Sequence, residues 1–346
     1  MSYSGTQGTQ GTQGTQGGQQ GGADGPAGAY LSLALATTRD GIARQWAGLD
    51  GRVVDFPIPG GWDAFRKMQE GPQAAVLDYE FGALAGLDLA ATHVGSVTSP
   101  HIGGGAVATL TRPVFDQAFV DHQMQIMRSY ADLRIDRMAE IQVQTQDILS
   151  FFSTQAYLDG VATKRSLELI RAVLRLVGKL EMRLKLHFDL PRPITTTDEL
   201  QPIIQTPGHG SWPSGHATES FTVALVFSAL QAGTGVDALT AVRDRTQPMR
   251  LAARIATNRT VAGVHYPSDS MAGAVLGLGI GEMVVNWISG APETPARAFD
   301  GTGFVDDFTL DTLEDILPAT GTLTFTSAPP PLLVDLWQVA RSEWVR

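Results

Sequence analysis

The sequence predicts an all-α fold, a helical bundle, because apolar residues recur at three- and four-residue steps over long stretches. The helices predicted from this period span residues 115–158, 165–188, 214–231, 236–257 and 268–288. Strand signals are sparse, and LTFTS at 323–327 is one short candidate. Such a chain is expected to bury its helices against one another rather than against a sheet.

The first part of the chain differs in composition from the rest. Residues 1–28 contain four copies of Gly-Thr-Gln, followed by GGQQGGADGP. So few apolar residues cannot offset the entropy lost on ordering, which predicts a disordered tail. Residues 29–346 are predicted to form a single helical domain, with the C-terminal segment packed back on it.

Composition excludes several classes of function. The chain is 43% hydrophobic and 17% charged, whereas soluble proteins average about 25% charged residues. This balance favours a well-buried helical body or a homo-oligomer interface. The net charge of -10 argues against nucleic acid as a partner. The absence of cysteine excludes disulfides, thiolate catalysis and zinc–thiolate sites.

No segment is predicted to span a membrane. The longest apolar run, residues 271–287, is rich in glycine and contains Glu282, so we interpret it as a buried helix. The N-terminus has neither the basic region nor the apolar region of a signal peptide. We therefore expect a cytoplasmic protein.

The first of three motifs is KLHFDLPRP, in which six residues separate Lys185 from Arg192. Pro191 disfavours helix at Leu190, so the helix should end there and leave Arg192 on the following loop. A lysine and an arginine held in this way can both reach one tetrahedral anion. The alternative interpretation is that Lys185 and Arg192 are solvated charges near a helix C-terminus.

The second motif is PSGH, Pro213–His216. Ser214 suits an N-cap, and the helix behind it would present free backbone N–H groups. Gly215 lets an anion approach these donors, and the helix dipole favours it there. His216 would stand at the rim as an acid or base, or would be an ordinary histidine at a helix start.

The third motif is NRTVAGVHYPSD, which contains Arg259, His265 and Asp269. Pro267 suits the first turn of the next helix, so His265 should lie just before a helix N-terminus. Asp269 can accept from one imidazole nitrogen and leave the other nitrogen free to bond an electrophile.

Together the motifs resemble the signature shared by vanadium-dependent haloperoxidases and the type 2 phosphatidic acid phosphatase (PAP2) superfamily. That signature is Lys-x6-Arg-Pro, then Pro-Ser-Gly-His, then Ser-Arg-x5-His-x3-Asp. The chain departs from it at Asn258, which stands in place of the serine. The resemblance covers about residues 185–269 and implies a helical bundle of the haloperoxidase and acid phosphatase type.

The resemblance also implies an oxyanion pocket. The residues that would bind the anion's oxygens are Lys185, Arg192, Ser214, Gly215 and Arg259. His265 would bond the central atom and would be oriented by Asp269. His216 would be the acid–base group on the opposite side.

One pocket of this kind serves two reactions. In a phosphatase, His265 attacks phosphorus to form a phosphohistidine, and His216 protonates the leaving oxygen. In a haloperoxidase, His265 is the ligand of vanadium in a vanadate cofactor, Lys185 polarises hydrogen peroxide, and a halide is oxidised. The two reactions share a pocket because vanadate resembles the phosphoryl-transfer transition state.

The sequence features favour the haloperoxidase. Lipid phosphatases of the superfamily resemble multi-span membrane proteins, and its soluble acid phosphatases are typically exported. His209, in HGSWPSGHA, resembles a second histidine on the halide side of vanadium bromoperoxidases, where a bound anion would favour its protonation. A solvated loop histidine is the alternative interpretation of His209.

The predicted function is therefore a vanadium-dependent haloperoxidase that uses vanadate, hydrogen peroxide and a halide. Bromide is the favoured halide, iodide and chloride stay open, and the organic acceptor is unspecified. One alternative is a soluble acid phosphatase that acts through a phosphohistidine. Another is an anion-binding protein without catalytic activity.

Overall fold

The computed structural model describes residues 26–42 and 60–344. Within these ranges the helices are α1 (Pro26–Ile42), α2 (Gly61–Phe65), α3 (Glu70–Gly82), α4 (Gln117–Ser129), α5 (Arg134–Gln144), α6 (Leu149–Phe152), α7 (Lys164–Phe188), α8 (Gly215–Ala232), α9 (Ala238–Arg243), α10 (Gln247–Val261), α11 (Pro267–Ile288), α12 (Leu310–Ile316) and α13 (Pro331–Ser342). The strands are β1 (Gly86–Asp88), β2 (Val94–Thr98), β3 (Ala108–Thr111), β4 (Glu293–Asp300) and β5 (Gly321–Thr324).

The chain divides into two compact units. Among the described residues, one unit contains α1 and the other contains the elements from α2 to α13. Residues 1–25 of the predicted tail lie outside the described residues. The boundary after residue 28, and the single domain over residues 29–346, stay predictions.

A five-stranded sheet corrects the predicted all-α class. The strand order is β1-β2-β3-β4-β5, and every neighbouring pair is antiparallel except β3 and β4, which are parallel. The sequence hid these strands because most of them are short and rich in Gly, Ala and Thr, so alternation is weak. The fold is mostly helical, with one mixed sheet.

A second difference concerns the helix predicted at 236–257. The structure has two helices there, α9 and α10, separated by a turn in which Arg245 has φ of 50°. Pro248 lies in the first turn of α10, where its missing N–H costs nothing. The helices predicted at 214–231 and 268–288 agree with α8 and α11 to within one residue at each end.

Helix α11 occupies the centre of the core. All of its residues are buried except Asn286, and it packs closely against α8, β4 and β3. Gly273 and Gly277 allow this approach, since an added Cβ would overlap the carbonyl oxygens of Ser214 and Thr218 on the α8 side. The two helix backbones therefore meet almost directly.

The acidic residue in the apolar run of α11 is neutralised by the sheet. Glu282 is buried and accepts from the guanidinium of Arg297 on β4 at 2.8 and 2.9 Å. It also accepts from the backbone N–H of Ala238 at 2.7 Å. A buried carboxylate with these partners joins α11 to β4 and to the start of α9.

The glycine contact between α8 and α11 gives the first prediction. Gly277→Ala should lower the free energy of unfolding by about 1–3 kcal/mol, because the new methyl group must displace backbone. Gly178 of α7 is the matched control, since a Cβ there meets no atom of the described residues within 4 Å. Gly178→Ala should instead stabilise by about 0.5–1 kcal/mol. Urea unfolding followed by helical circular dichroism measures both, and equal effects would contradict the packing described.

Candidate active site

One cavity brings residues of all three motifs together. Four helices end or begin beside it, with α7 and α10 at their C-termini and α8 and α11 at their N-termini. The residues that line the cavity are Thr145, Glu181, Met182, Lys185, Arg192, Ile204, Gln205, Pro207, His209, Gly215, His216, Arg259, Val264 and His265.

Arg192 and His265 meet at the cavity wall. The Arg192 Nη1 lies 2.9 Å from His265 Nε2 and 2.8 Å from the carbonyl oxygen of Val264. Because a guanidinium can only donate, Nε2 must accept, so the proton of the neutral imidazole is on Nδ1. The lone pair of His265 Nε2 therefore lies at the cavity.

Asp269 fixes this tautomer from behind. Its Oδ2 accepts from His265 Nδ1 at 2.9 Å, from the backbone N–H of Tyr266 at 3.0 Å, and from the hydroxyl of Ser211. Burial and the charge of Arg192 hold the pKa of His265 well below its usual value. Burial raises the pKa of Asp269 to about 6, although the Ser211 hydroxyl opposes the shift.

Gln144, at the C-terminus of α5, links two motif residues that the sequence could not connect. Its backbone carbonyl oxygen accepts from His216 Nε2 at 3.0 Å, and its side-chain Oε1 accepts from Arg259 Nη2 at 2.9 Å. Asn258, where the chain departs from the signature, donates to the same Oε1 at 3.0 Å. Asn258 thus supports Arg259 through Gln144.

His216 is neutral in this arrangement. The carbonyl oxygen of Gln144, at 3.0 Å, is closer to Nε2 than Arg259 Nη1, at 3.4 Å, so the proton of the imidazole is on Nε2 and the lone pair is on Nδ1. Burial, followed by the charge of Arg259, holds the pKa of His216 well below its usual value. Burial also lowers the pKa of Arg259 to about 9, and its Nε has no hydrogen-bond partner among the described residues.

Lys185 is fully buried at the last turn of α7. Its Nζ donates to the carbonyl oxygens of Pro213 at 2.5 Å and Ser211 at 3.3 Å, on the loop that leads into α8. Burial and the charge of Arg192 lower the pKa of Lys185 to about 7. Two carbonyl acceptors favour the ammonium form, so we assign Lys185 a positive charge.

The structure separates the two predicted residues of the α8 N-terminus. Gly215 lines the cavity, whereas Ser214 is fully buried as the N-cap, with its Oγ 3.5 Å from the backbone N–H of Ala217. Ser214 is not among the residues that line the cavity. The backbone N–H of Ser214 donates to the carbonyl oxygen of Asp269 at 2.8 Å, which joins the starts of α8 and α11.

His209 lies at the cavity, and its protonation beside a bound anion stays a prediction. Its Nδ1 lies 3.1 Å from the carbonyl oxygen of Gly210 and 3.2 Å from Arg192 Nη2. Burial, then the charge of Lys185, lower the pKa of His209 to about 4. The sequence argument considered the bound anion alone, whereas the folded site surrounds His209 with cations.

Two residues with carboxyl groups near the cavity belong to none of the three motifs, and sequence reasoning missed them. Glu181 lies one helical turn before Lys185 and lines the cavity. Glu219 lies one turn after Gly215 on α8, and both residues are buried. A glutamate four residues from a motif residue, on the same helix face, is a signal that could have found them.

Fold and cavity together define a mostly helical protein with a buried, cation-rich cavity at the meeting point of four helix ends. Residues 169–292 match the model of the PAP2 superfamily. This match confirms the resemblance inferred from the motifs, and the matched segment contains all three of them.

Two curated relatives are similar over a shorter stretch. Both are described as decaprenylphosphoryl-5-phosphoribose phosphatase, from Mycobacterium tuberculosis strains CDC 1551 / Oshkosh and ATCC 25618 / H37Rv. Each is 35% identical over 81 residues, which is 23% of this chain and 39% of the relative. The chain thus spans well under half of the length of these relatives.

A solved structure described as the first bacterial vanadium-dependent iodoperoxidase is also similar. The identity is 20%, the TM-score is 0.27, and the match covers 49% of this chain and 38% of the other. A likeness this weak says nothing about the reaction.

Two expectations about the membrane are corrected. Helix α11 has 22 residues, and its most apolar window has a mean hydropathy of 1.5, so it is long and apolar enough to cross a bilayer. By their name, the relatives act on a phosphoribose that carries a decaprenylphosphoryl group. The predictions of no membrane span and of a cytoplasmic location are therefore wrong.

The error came from Glu282, which was taken to exclude a span. Within the fold this carboxylate is paired with Arg297, so its charge does not exclude a membrane-spanning helix. In the structure, 94% of the apolar window of α11 is covered by other parts of this chain.

The His265–Asp269 pair gives the second prediction. In Asp269→Asn, an amide N–H can face Nδ1 and force the proton of His265 onto Nε2, which removes the lone pair from the cavity. Turnover should fall at least about 100-fold while the protein stays folded. Nitrogen NMR of ¹⁵N-histidine protein should show the tautomer change.

The matched control is Asp307→Asn. Asp307 is partly buried and, like Asp269, accepts from a hydroxyl, that of Tyr130, and from a backbone N–H, that of Phe308. It does not line the cavity. A comparable loss of turnover in both variants would mean that Asp269 acts on stability and not on His265.

Proposed function

We propose that the protein is a phosphatase or phosphotransferase that cleaves phosphomonoesters through a phosphohistidine at His265. Three observations support this proposal. The family match is to a superfamily with phosphatase members, and the curated relatives are phosphatases. The observation that carries it is the His265 geometry, in which Asp269 holds the proton on Nδ1 and the Nε2 lone pair lies at a cationic cavity.

Binding of the phosphoryl group rests on charge and on backbone donors. Lys185, Arg192 and Arg259 supply the positive charge, and the N-terminus of α8 at Gly215 supplies N–H groups and a favourable dipole. All three cations are buried, with exposed fractions of 1%, 5% and 1%. Buried cations interact with an anion far more strongly than exposed ones, because little solvent screens them.

Phosphoryl transfer needs one rearrangement. Arg192 Nη1 donates to His265 Nε2 in the structure, so it must transfer its hydrogen bond to a phosphoryl oxygen when substrate binds. The Nε2 lone pair then forms a bond to phosphorus as the ester P–O bond breaks, and the leaving oxygen takes a proton from Nδ1 of His216, whose protonated form the anionic substrate favours. Asp269 stabilises the positive charge that develops on the imidazole.

The second half of the reaction regenerates the free enzyme. A water or an alcohol attacks the phosphohistidine, the P–N bond breaks, and the nucleophile releases a proton. His216 is the proposed acid–base group, since its Nδ1 carries a lone pair and it lines the cavity. Gln144 hydrogen-bonds to both His216 and Arg259, so it would fix the position of the acid–base group relative to the cation.

A second candidate is the vanadium-dependent haloperoxidase. The observation that favours it is His209, which lies against Arg192 at the cavity, as the resemblance to bromoperoxidases implies. The donor set fits vanadate, because Lys185, Arg192, Arg259 and Gly215 can hold its oxygens and Nε2 of His265 is a neutral ligand. When bound, vanadate would supply the activation of peroxide for halide oxidation.

The third prediction tests the proposal. Wild-type protein should hydrolyse p-nitrophenyl phosphate, and His265→Ala should lower turnover by about 10³-fold or more, because it removes the nucleophile. Mass spectrometry after a neutral or alkaline quench should find a phosphoryl group on the His265 peptide. His122→Ala is the control, since His122 is exposed and does not line the cavity.

Two outcomes would contradict the proposal. Full turnover in His265→Ala would exclude His265 as the nucleophile. If wild-type protein cleaves no phosphate ester but oxidises bromide with peroxide after loading with vanadate, the phosphatase proposal is wrong and the haloperoxidase stands.

A further inference from the structure

Glu181 and Glu219 are two buried carboxyl groups that the proposed reaction does not use. Their exposed fractions are 2% and 0%. Within the described part of the chain, Oε2 of Glu181 and both carboxyl oxygens of Glu219 have no hydrogen-bond partner. A buried carboxylate without partners is costly, so an unpaired carboxyl group in such a place tends to hold a proton or to meet a ligand.

The position of Glu181 points to a ligand. It lines the same cavity as Lys185 and Arg192. A Cβ built on Gly215 would lie 2.8 and 3.1 Å from its two carboxyl oxygens, so the carboxyl group stands directly against the first residue of α8. An anion held by the N–H groups of that helix start is therefore within reach of Glu181.

Glu219 stands behind Glu181 and makes double ionisation unfavourable. Burial, then the charge of Glu181, hold the pKa of Glu219 well above its usual value. Burial raises the pKa of Glu181 to about 7, while Lys185 and Arg192 oppose the shift. Two buried carboxyl groups coupled in this way retain a proton between them.

We propose that Glu181, backed by Glu219, is an anion-binding residue that takes up a proton when a tetrahedral oxyanion enters the cavity and donates it as a hydrogen bond to an anion oxygen. The inference rests on the proposed anion site but not on the reaction that follows. It makes anion binding proton-coupled. Above the pKa of Glu181 the carboxylate would repel the anion, and the proton must come from solvent.

Other titratable groups lie at the same cavity or next to it and could contribute. Lys185 is on the same helix, Arg192 and His209 are on the following loop, and His216 and Glu219 are on α8. Arg259, at the end of α10, and the pair His265 and Asp269 complete the surroundings. Lys185 is the main competitor, since burial lowers its pKa to about 7 and it would also gain a proton on anion binding.

The probe is inorganic sulfate, which is tetrahedral and does not titrate near neutral pH, so any proton uptake belongs to the protein. Calorimetry in buffers of different ionisation enthalpy measures the sulfate affinity and the number of protons taken up. In wild-type protein, affinity should fall up to about tenfold for each pH unit above about pH 7, with uptake approaching about one proton. Below that pH both effects should vanish, because the proton is already bound.

The variant Glu181→Gln distinguishes Glu181 from Lys185 as the group that takes up the proton. The amide retains a donor and has no charge, so the variant should lose the proton uptake and bind sulfate about tenfold or more tightly than wild type at about pH 9. At about pH 6 the two proteins should agree within about twofold. Glu219→Gln keeps a neutral group at that position, so it should retain the wild-type pH dependence, and a loss of proton uptake there would mean that Glu219 and not Glu181 takes up the proton. Glu293→Gln, at the exposed first position of β4, is the control and should change nothing.

Four outcomes would overturn the inference. If Glu181→Gln keeps the wild-type pH dependence and proton uptake, the proton goes to Lys185 or a histidine. If wild-type protein binds sulfate without proton uptake, no group takes up a proton, and if sulfate does not bind, the anion site itself fails. Should the variant not fold, difference infrared spectra of wild-type protein decide, because sulfate addition at about pH 8 must produce the carbonyl band of a protonated carboxyl group. Absence of that band overturns the inference.

Discussion

The contact between the starts of α8 and α11 is the constraint on which the site depends. The backbone N–H of Ser214 donates to the carbonyl oxygen of Asp269 at 2.8 Å, and Gly273 and Gly277 let the two helix backbones touch beyond that bond. The first helix begins with the second motif and the second helix begins with the third, so this contact sets the distance between Gly215 and His265. Two helix N-termini consequently point toward one cavity, and their dipoles add. A side chain at either glycine would push the motifs apart.

Charge explains why the cavity is an anion site in a protein of net charge -10. Lys185 and Arg192 are held largely by carbonyl oxygens, and Arg259 by Gln144 Oε1, so their charges are oriented but only partly neutralised. Buried charge without a counter-ion is unfavourable. Anion binding therefore stabilises the site. The same cations keep the nearby histidines neutral. A neutral imidazole with a free lone pair is what a nucleophile or a vanadium ligand requires.

Much of the site could be predicted from the sequence, because the chemistry lies in local motifs. The Pro-Ser-Gly-His turn has its N-cap, and the spacing of His265 and Asp269 places one behind the other at a helix start. What could not be predicted depends on tertiary contacts. Gln144 has no motif and lies 115 residues from Arg259, and Glu181 becomes notable only because α7 packs on α8. The sheet was missed because its Gly- and Thr-rich strands are short, and the cations that surround His209 could not be placed because they come from elsewhere in the chain.

The central claim is that all three motifs form a single oxyanion site, and competition between two oxyanions tests it most directly. Vanadate is titrated calorimetrically into protein that already contains increasing concentrations of phosphate. If Lys185, Arg192, Arg259 and His265 act on one anion, binding saturates at about one vanadate per chain, and its apparent Kd rises in proportion to phosphate once phosphate exceeds its own Kd. A vanadate Kd that does not change with phosphate would show two independent sites and would contradict this account.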